Sequence, residues 1–243
     1  MSTLMDFIKC TGNSFASVAE DGVAAGDISG WIDSGSYAFN ALLSGSIYRG
    51  FPQNKIVVIG YDGPSIPLVK SQIGTMGTHR LFVLMLKGFY ESMHTNKSIT
   101  TDMQDNPEGI VLCFETESAI TKGMLTERGI DTRRFGVIPI ATVQEFRTQA
   151  IKIVENYEKA PLKERKPIMF ILDSLGMLST SKEMEDTASG SETKDMTRAG
   201  QLKATFRVLT LKLGRANIPL VVTNHVYDDV GGGPYAQKVQ SGG

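Results

Sequence analysis

Five short apolar runs punctuate this chain, and four of them stop at a glycine, an acid or an amide. They are Ile56–Ile59, Ile110–Phe114, Val137–Ile140, Ile168–Leu172 and Leu220–Thr223. Each is too short for a helix and none alternates apolar with polar. Such runs predict strands buried on both faces, the pattern of a parallel sheet covered by helices on each side. The intervening segments support this. Val143–Lys159 places Phe146, Ile151, Val154 and Tyr157 near helical spacing, and Thr116–Arg128 and Ala199–Leu213 also read as helices. Strands alternating with helices predict an α/β fold with a mostly parallel central sheet.

The remaining segments fit around that frame. Residues 1–30 form a polar lead with a short amphipathic stretch, Leu4–Ile8, and residues 31–243 form one core. Ser36–Leu43 reads as a short helix, residues 61–80 as a loop, Leu81–Tyr90 as a helix and 94–107 as a surface insertion. Residues 180–197 read as a polar loop, and Val226–Gly243 as an irregular, glycine-rich tail.

Composition narrows the function classes. Twenty-five Lys and Arg face 26 Asp and Glu, a net charge of −1, which excludes a wholly basic nucleic-acid coat. A local basic strip remains compatible with DNA binding. Two cysteines, Cys10 and Cys113, are too few for a disulfide framework or a zinc cluster, and they point to a reducing compartment. The sequence has neither a membrane-length apolar run nor a signal-peptide pattern, so a cytoplasmic location is expected.

In open parallel sheets, ligands bind beyond the carboxyl ends of the strands. The residues at those ends are Gly60, then Glu115-Thr116-Glu117, Asp173-Ser174 and Asn224-His225. Glycine lets backbone N–H groups approach phosphates. An Asp after an apolar strand suits Mg²⁺ held through water or a hydroxyl, and a neighbouring Glu suits polarising a water. Singly, each has a blander reading: Glu117 as an acid at a helix N-terminus, His225 as a structural residue. Together at successive strand ends they favour nucleotide chemistry.

Longer motifs carry a family resemblance. Asp33–Gly45 resembles the segment that precedes the phosphate loop in RecA-type recombinases. Phe114-Glu115-Thr116-Glu117 resembles the strand end bearing that family's catalytic glutamate, which falls on Glu117. Ile171–Gly176 resembles its Walker B strand, with Asp173 as the Mg²⁺-associated acid. Asp195–Ala199 with its following helix, and Thr223-Asn224-His225, are similar to the phage UvsX-like branch. These segments separate the recombinases from helicases and clock ATPases on the same core. The resemblance covers roughly residues 28–60 and 108–243.

The resemblance implies a RecA-like P-loop ATPase core using ATP and Mg²⁺. Its function would be homologous recombination: coating single-stranded DNA as a homo-oligomeric helical filament and exchanging strands with a homologous duplex. A recombination mediator and a single-strand-binding protein are the further partners implied, and a phage-encoded chain would work in the host cytoplasm. Nucleotide contacts would fall on Asp173, Ser174, Asn224 and His225. Two loops would face DNA, the first with Lys182, Lys194 and Arg198, the second with Gly231, Gly232, Gly233 and Lys238. The family sheet continues past the second loop, so a core truncated within that loop is expected.

The phosphate loop departs from the family. Counting from Gly60, the closing Gly-Lys-Thr should fall on Ser65-Ile66-Pro67; counting from Gly63, on Leu68-Val69-Lys70. Counting back from Lys87–Ser92, which resembles the end of the helix after the loop, it falls on Gly77-Thr78-His79. No register supplies the lysine after its glycine. A non-hydrolysing DNA-binding or filament-subunit relative is therefore the alternative expectation.

Overall fold

A computed structural model describes residues 4–23, 25–32, 37–62, 109–127, 130–191, 195–228 and 238–240. Five parallel strands form the central sheet: β3 (Ile56–Asp62), β4 (Ile110–Glu115), β5 (Phe135–Pro139), β6 (Ile168–Asp173) and β7 (Leu220–Asp228). Their order across the sheet is β3-β7-β6-β4-β5. A short strand, β8 (Lys238–Gln240), pairs antiparallel with Val226–Asp228 of β7. A separate two-stranded ribbon joins β1 (Trp31–Ile32) to β2 (Phe51–Pro52).

Helices are α1 (Leu4–Cys10), α2 (Tyr37–Ser44), α3 (Lys122–Glu127), α4 (Val143–Lys159), α5 (Ser181–Ala188) and α6 (Arg198–Ala216). The sheet is covered on both faces. On one side Phe146, Ala150 and Val154 of α4 and Leu202, Leu209 and Leu213 of α6 pack against Phe114, Phe170, Leu172 and Val222. Phe114 sits edge-to-face with both Phe146 and Phe170, at centroid distances of 5.1 and 5.5 Å. On the other side Ile32, Phe51 and Leu125 close over Val111, Cys113, Met169, Ile171 and Val221. Burial on both faces is why the strands read as continuous apolar runs.

Local chemistry sets the ends of the elements. Thr142 caps α4 by accepting from the Glu145 N–H, and the Glu145 carboxylate accepts the Thr142 N–H in return. Beyond the other end of α4, at Ala160, comes Pro161, which lacks an N–H. Helix α6 ends at Asn217, whose φ of 57° is left-handed, a conformation that Asn tolerates better than most residues.

Three expectations need correction. Residues 180–197 are not simply a loop: Thr180 and Glu183 form a second reciprocal cap, and α5 runs from Ser181 to Ala188. The cap outweighs a composition that reads as loop. Among the described residues of the segment expected as a helix over 116–128, the helix spans Lys122–Glu127, and the N–H groups of Glu117, Ser118 and Ala119 are instead taken by the Glu115 carboxylate. The tail is not wholly irregular, since β7 extends to Asp228 and β8 returns along it. The expected helix 81–90 and insertion 94–107 lie outside the described residues.

Candidate nucleotide site at the carboxyl edge of the sheet

Strand register places the site. Glu115 of β4 pairs with Asp173 of β6, and Thr223 of β7 follows one step after the Leu172–Val222 pair. Side chains alternate across a strand with period two. Glu115, Asp173 and Thr223 therefore form a polar row on the same face as the apolar row Cys113, Ile171 and Val221, one layer nearer the carboxyl edge. All three polar residues are buried.

Each is held by hydrogen bonds. The Thr223 hydroxyl donates to Oδ1 of Asp173 at 2.6 Å. The Glu115 carboxylate accepts three successive backbone N–H groups, from Glu117, Ser118 and Ala119, at 3.2, 2.7 and 2.8 Å. Ser118 takes a left-handed φ of 55° in this turn. The turn turns the chain at Glu117, whose Oε1 accepts from the Ser174 hydroxyl at 3.0 Å. Thr116 ties the two strand ends together. Its N–H donates to the Asp173 carbonyl at 2.8 Å, and its Oγ1 accepts from the Ser174 N–H at 2.8 Å. The Asp173–Ser174 peptide is cis.

Electrostatics mark the same place. Burial, then the charges of Asp173 and Glu115, push the Cys113 thiol well above its ordinary range. Among the described residues no group of three or more His, Cys, Asp or Glu could hold a metal ion. Mg²⁺ bound with a nucleotide asks for less, one or two carboxylates with phosphates and water. Asp173 with Ser174 and Glu117 beside it supplies such oxygen donors.

The structure thus brings Asp173, Ser174 and Glu117 together. Gly60 pairs with Asn224 and Tyr61 with His225, so those residues lie on the adjoining β3–β7 edge, with Asn224 buried. Gly77, Thr78, His79, Lys194, Gly231, Gly232 and Gly233 lie outside the described residues. Lys182 is exposed in the first turn of α5, and Lys238 pairs with Asp228 through the backbone. Arg198 has a task that sequence reading missed: it donates to the carbonyls of Leu178, Leu175 and Gly176 at 2.7, 3.0 and 2.9 Å. Sequence reading also assigned no task to Glu115, Thr116 or Thr223. The signal at Thr223 was one hydroxyl at the end of an otherwise apolar strand. A groove of about 620 Å³ between α4 and α5, lined in part by Thr148, Lys152, Ser181 and Met184, shares none of these residues.

An all-parallel, five-stranded sheet with helices on both faces and paired acids at its carboxyl edge is the architecture expected of a RecA-like core. The chain is 31% identical over 149 residues to the "Recombination and repair protein" of Enterobacteria phage T4. The match takes in 60% of this chain and 37% of that relative, so the chain spans well under half of the relative's length. The likeness supports a recombination and repair family. No protein-family model matches the chain. Among the described residues no helix is long and apolar enough to cross a membrane.

Proposed function

We propose that the chain is a RecA-type homologous recombination protein of the UvsX-like branch, which coats single-stranded DNA as a filament in an ATP-dependent manner and exchanges strands. The observation that carries this reading is the link between two strand ends at the carboxyl edge, where Ser174, the residue after Asp173 of β6, donates to Glu117, two residues past the end of β4. Asp173 would hold Mg²⁺ through water or a hydroxyl, and Glu117 would orient a water toward the γ-phosphate. Bound Mg²⁺ would neutralise charge on the β- and γ-phosphates. Asn224 and His225, on the adjoining β3–β7 edge, would respond to the nucleotide. Lys182, Lys194, Arg198, Gly231–Gly233 and Lys238 are the proposed DNA-facing positions, Arg198 through the turn it holds.

The phosphate side supports a second reading. No Gly-Lys-Thr follows β3 in any register, and a charged hydrogen bond of that kind contributes ~1.5–3 kcal/mol. A relative that binds DNA or filament neighbours without turnover fits that loss. Filter binding of single-stranded DNA with and without ATP tests the pair. ATP-dependent retention supports the first reading, ATP-independent retention supports the second, and no retention at low salt overturns both.

A further inference from the structure

We propose that Thr223 is a positioning residue that sets the Asp173 carboxylate for a divalent cation; the inference rests on the nucleotide-site reading above. Thr223 ends the run Leu220-Val221-Val222, where a valine would fill the same volume. The residue is 1% exposed. A hydroxyl buried there without an acceptor would cost about 1–3 kcal/mol. Two acceptors lie within reach, Asp173 Oδ1 at 2.6 Å and the Leu172 carbonyl at 3.4 Å. A hydroxyl carries one proton, and the shorter, charge-assisted contact takes it.

The two partners differ in stiffness. Thr223 is β-branched, so its χ1 is restricted and the backbone of β7 fixes where the hydroxyl points. The terminal torsion of an aspartate is broad and roughly two-fold. A stiff donor on one strand therefore selects the plane of a soft acceptor on the next. Thr116 fixes the backbone of Asp173 and Ser174 from the opposite side, through β4. Asp173 is thus held at its main chain by one neighbouring strand and at its carboxylate by the other. Partners of this kind beside metal ligands are worth about 10–100-fold in metal affinity.

The test uses the full chain with Mn²⁺ in place of Mg²⁺ and ATP as the nucleotide, with binding followed by electron paramagnetic resonance and melting temperature recorded alongside. The variants are Thr223→Val, Thr223→Ser and Asp173→Asn. Thr223→Val is expected to weaken Mn²⁺–ATP binding by about 10–100-fold, with Thr223→Ser, which keeps the donor but loses the β-branch, falling between the valine variant and the native chain. If Asp173→Asn loses binding but Thr223→Val binds as the native chain does, the positioning role is overturned and the site reading stands. Equal weakening in the valine and serine variants also overturns it, since packing alone would explain that pattern. If the native chain binds no Mn²⁺–ATP, the site reading falls and this proposal falls with it. Should Thr223→Val fail to fold, Thr223→Ala against Thr223→Ser makes the same comparison.

Discussion

The Ser174 hydroxyl donates to Oε1 of Glu117 across 3.0 Å, joining residues 57 positions apart at the ends of two neighbouring strands. A glutamine at position 117 keeps an oxygen that can accept this bond but loses the charge. Glu117→Gln is therefore expected to leave ATP-dependent binding of single-stranded DNA unchanged. Turnover of ATP by the native chain is expected to stay near background, because no lysine follows the phosphate-loop glycine. A radiolabelled-phosphate assay with saturating DNA checks this. Clear DNA-stimulated turnover that Glu117→Gln abolishes would show that the chain hydrolyses ATP after all.

Arg198 holds a turn as well as standing among the proposed DNA-facing positions. Its guanidinium serves three carbonyls in the turn after β6. Arg198→Ala is expected to cost about 1 kcal/mol or more in denaturant unfolding, since it removes three hydrogen bonds to partly buried carbonyls. Arg198→Lys should not rescue it, because a point charge cannot reproduce the planar fork. Lys182→Ala should leave unfolding unchanged, since Lys182 is exposed. An Arg198→Ala protein as stable as the native chain would contradict this assignment.

The cap of α4 gives a pH-dependent prediction. The N–H groups of Ala141 and Thr142 donate to Glu145 and hold its carboxyl below its ordinary value of 4.5. A depressed carboxyl pKa stabilises the fold above the unfolded value, and that stability is lost as pH falls through the folded one. Glu145→Gln should lower stability at neutral pH and flatten the acid side of the stability–pH curve, so that the two proteins converge at low pH. Thr142→Ala should cost ~1 kcal/mol, the usual effect of losing an N-cap. Chemical denaturation from pH 7 down to pH 3 reads both effects.

Thiol chemistry reports on the acid row. Cys113 is buried, with its thiol pushed up by burial and by Asp173 and Glu115, whereas Cys10 is exposed. A chromogenic disulfide reagent should titrate one thiol in the native chain at pH 8 and two in denaturant. The raised folded pKa adds a sign. Its stabilising effect is full below the unfolded value, near 9.0, and is lost as pH rises above it. Cys113→Ala should remove that alkaline loss.

Much of the fold was legible because buried parallel strands leave an unmistakable trace. Ile168–Leu172 and Leu220–Thr223 have no polar alternation to confuse with a surface strand, and Val143–Lys159 has a clear apolar stripe. The acids at positions 117 and 173 were legible for the same reason, since a strand end in a parallel sheet defines an edge. What stayed hidden depended on contacts between distant segments. The hydroxyls of Thr116 and Thr223 gain meaning only when register sets them beside Asp173. Glu115 looked like one more strand-end acid until its carboxylate took three N–H groups and replaced the first turns of the expected helix. Helix α5 was missed because Ser, Thr, Glu and Lys read as loop when the reciprocal cap between Thr180 and Glu183 is overlooked. The structural task of Arg198 stayed hidden because a lone arginine beside a polar segment carries no sign of three carbonyls folding toward it.

The central claim is that the carboxyl-edge acids serve a nucleotide that controls DNA binding. Filter binding of a labelled single-stranded oligonucleotide by the native chain and by Asp173→Asn, with and without Mg²⁺–ATP, tests it most directly. The account predicts that ATP raises retention by the native chain and has no effect on Asp173→Asn. Retention that is the same in both proteins, with or without ATP, would contradict it.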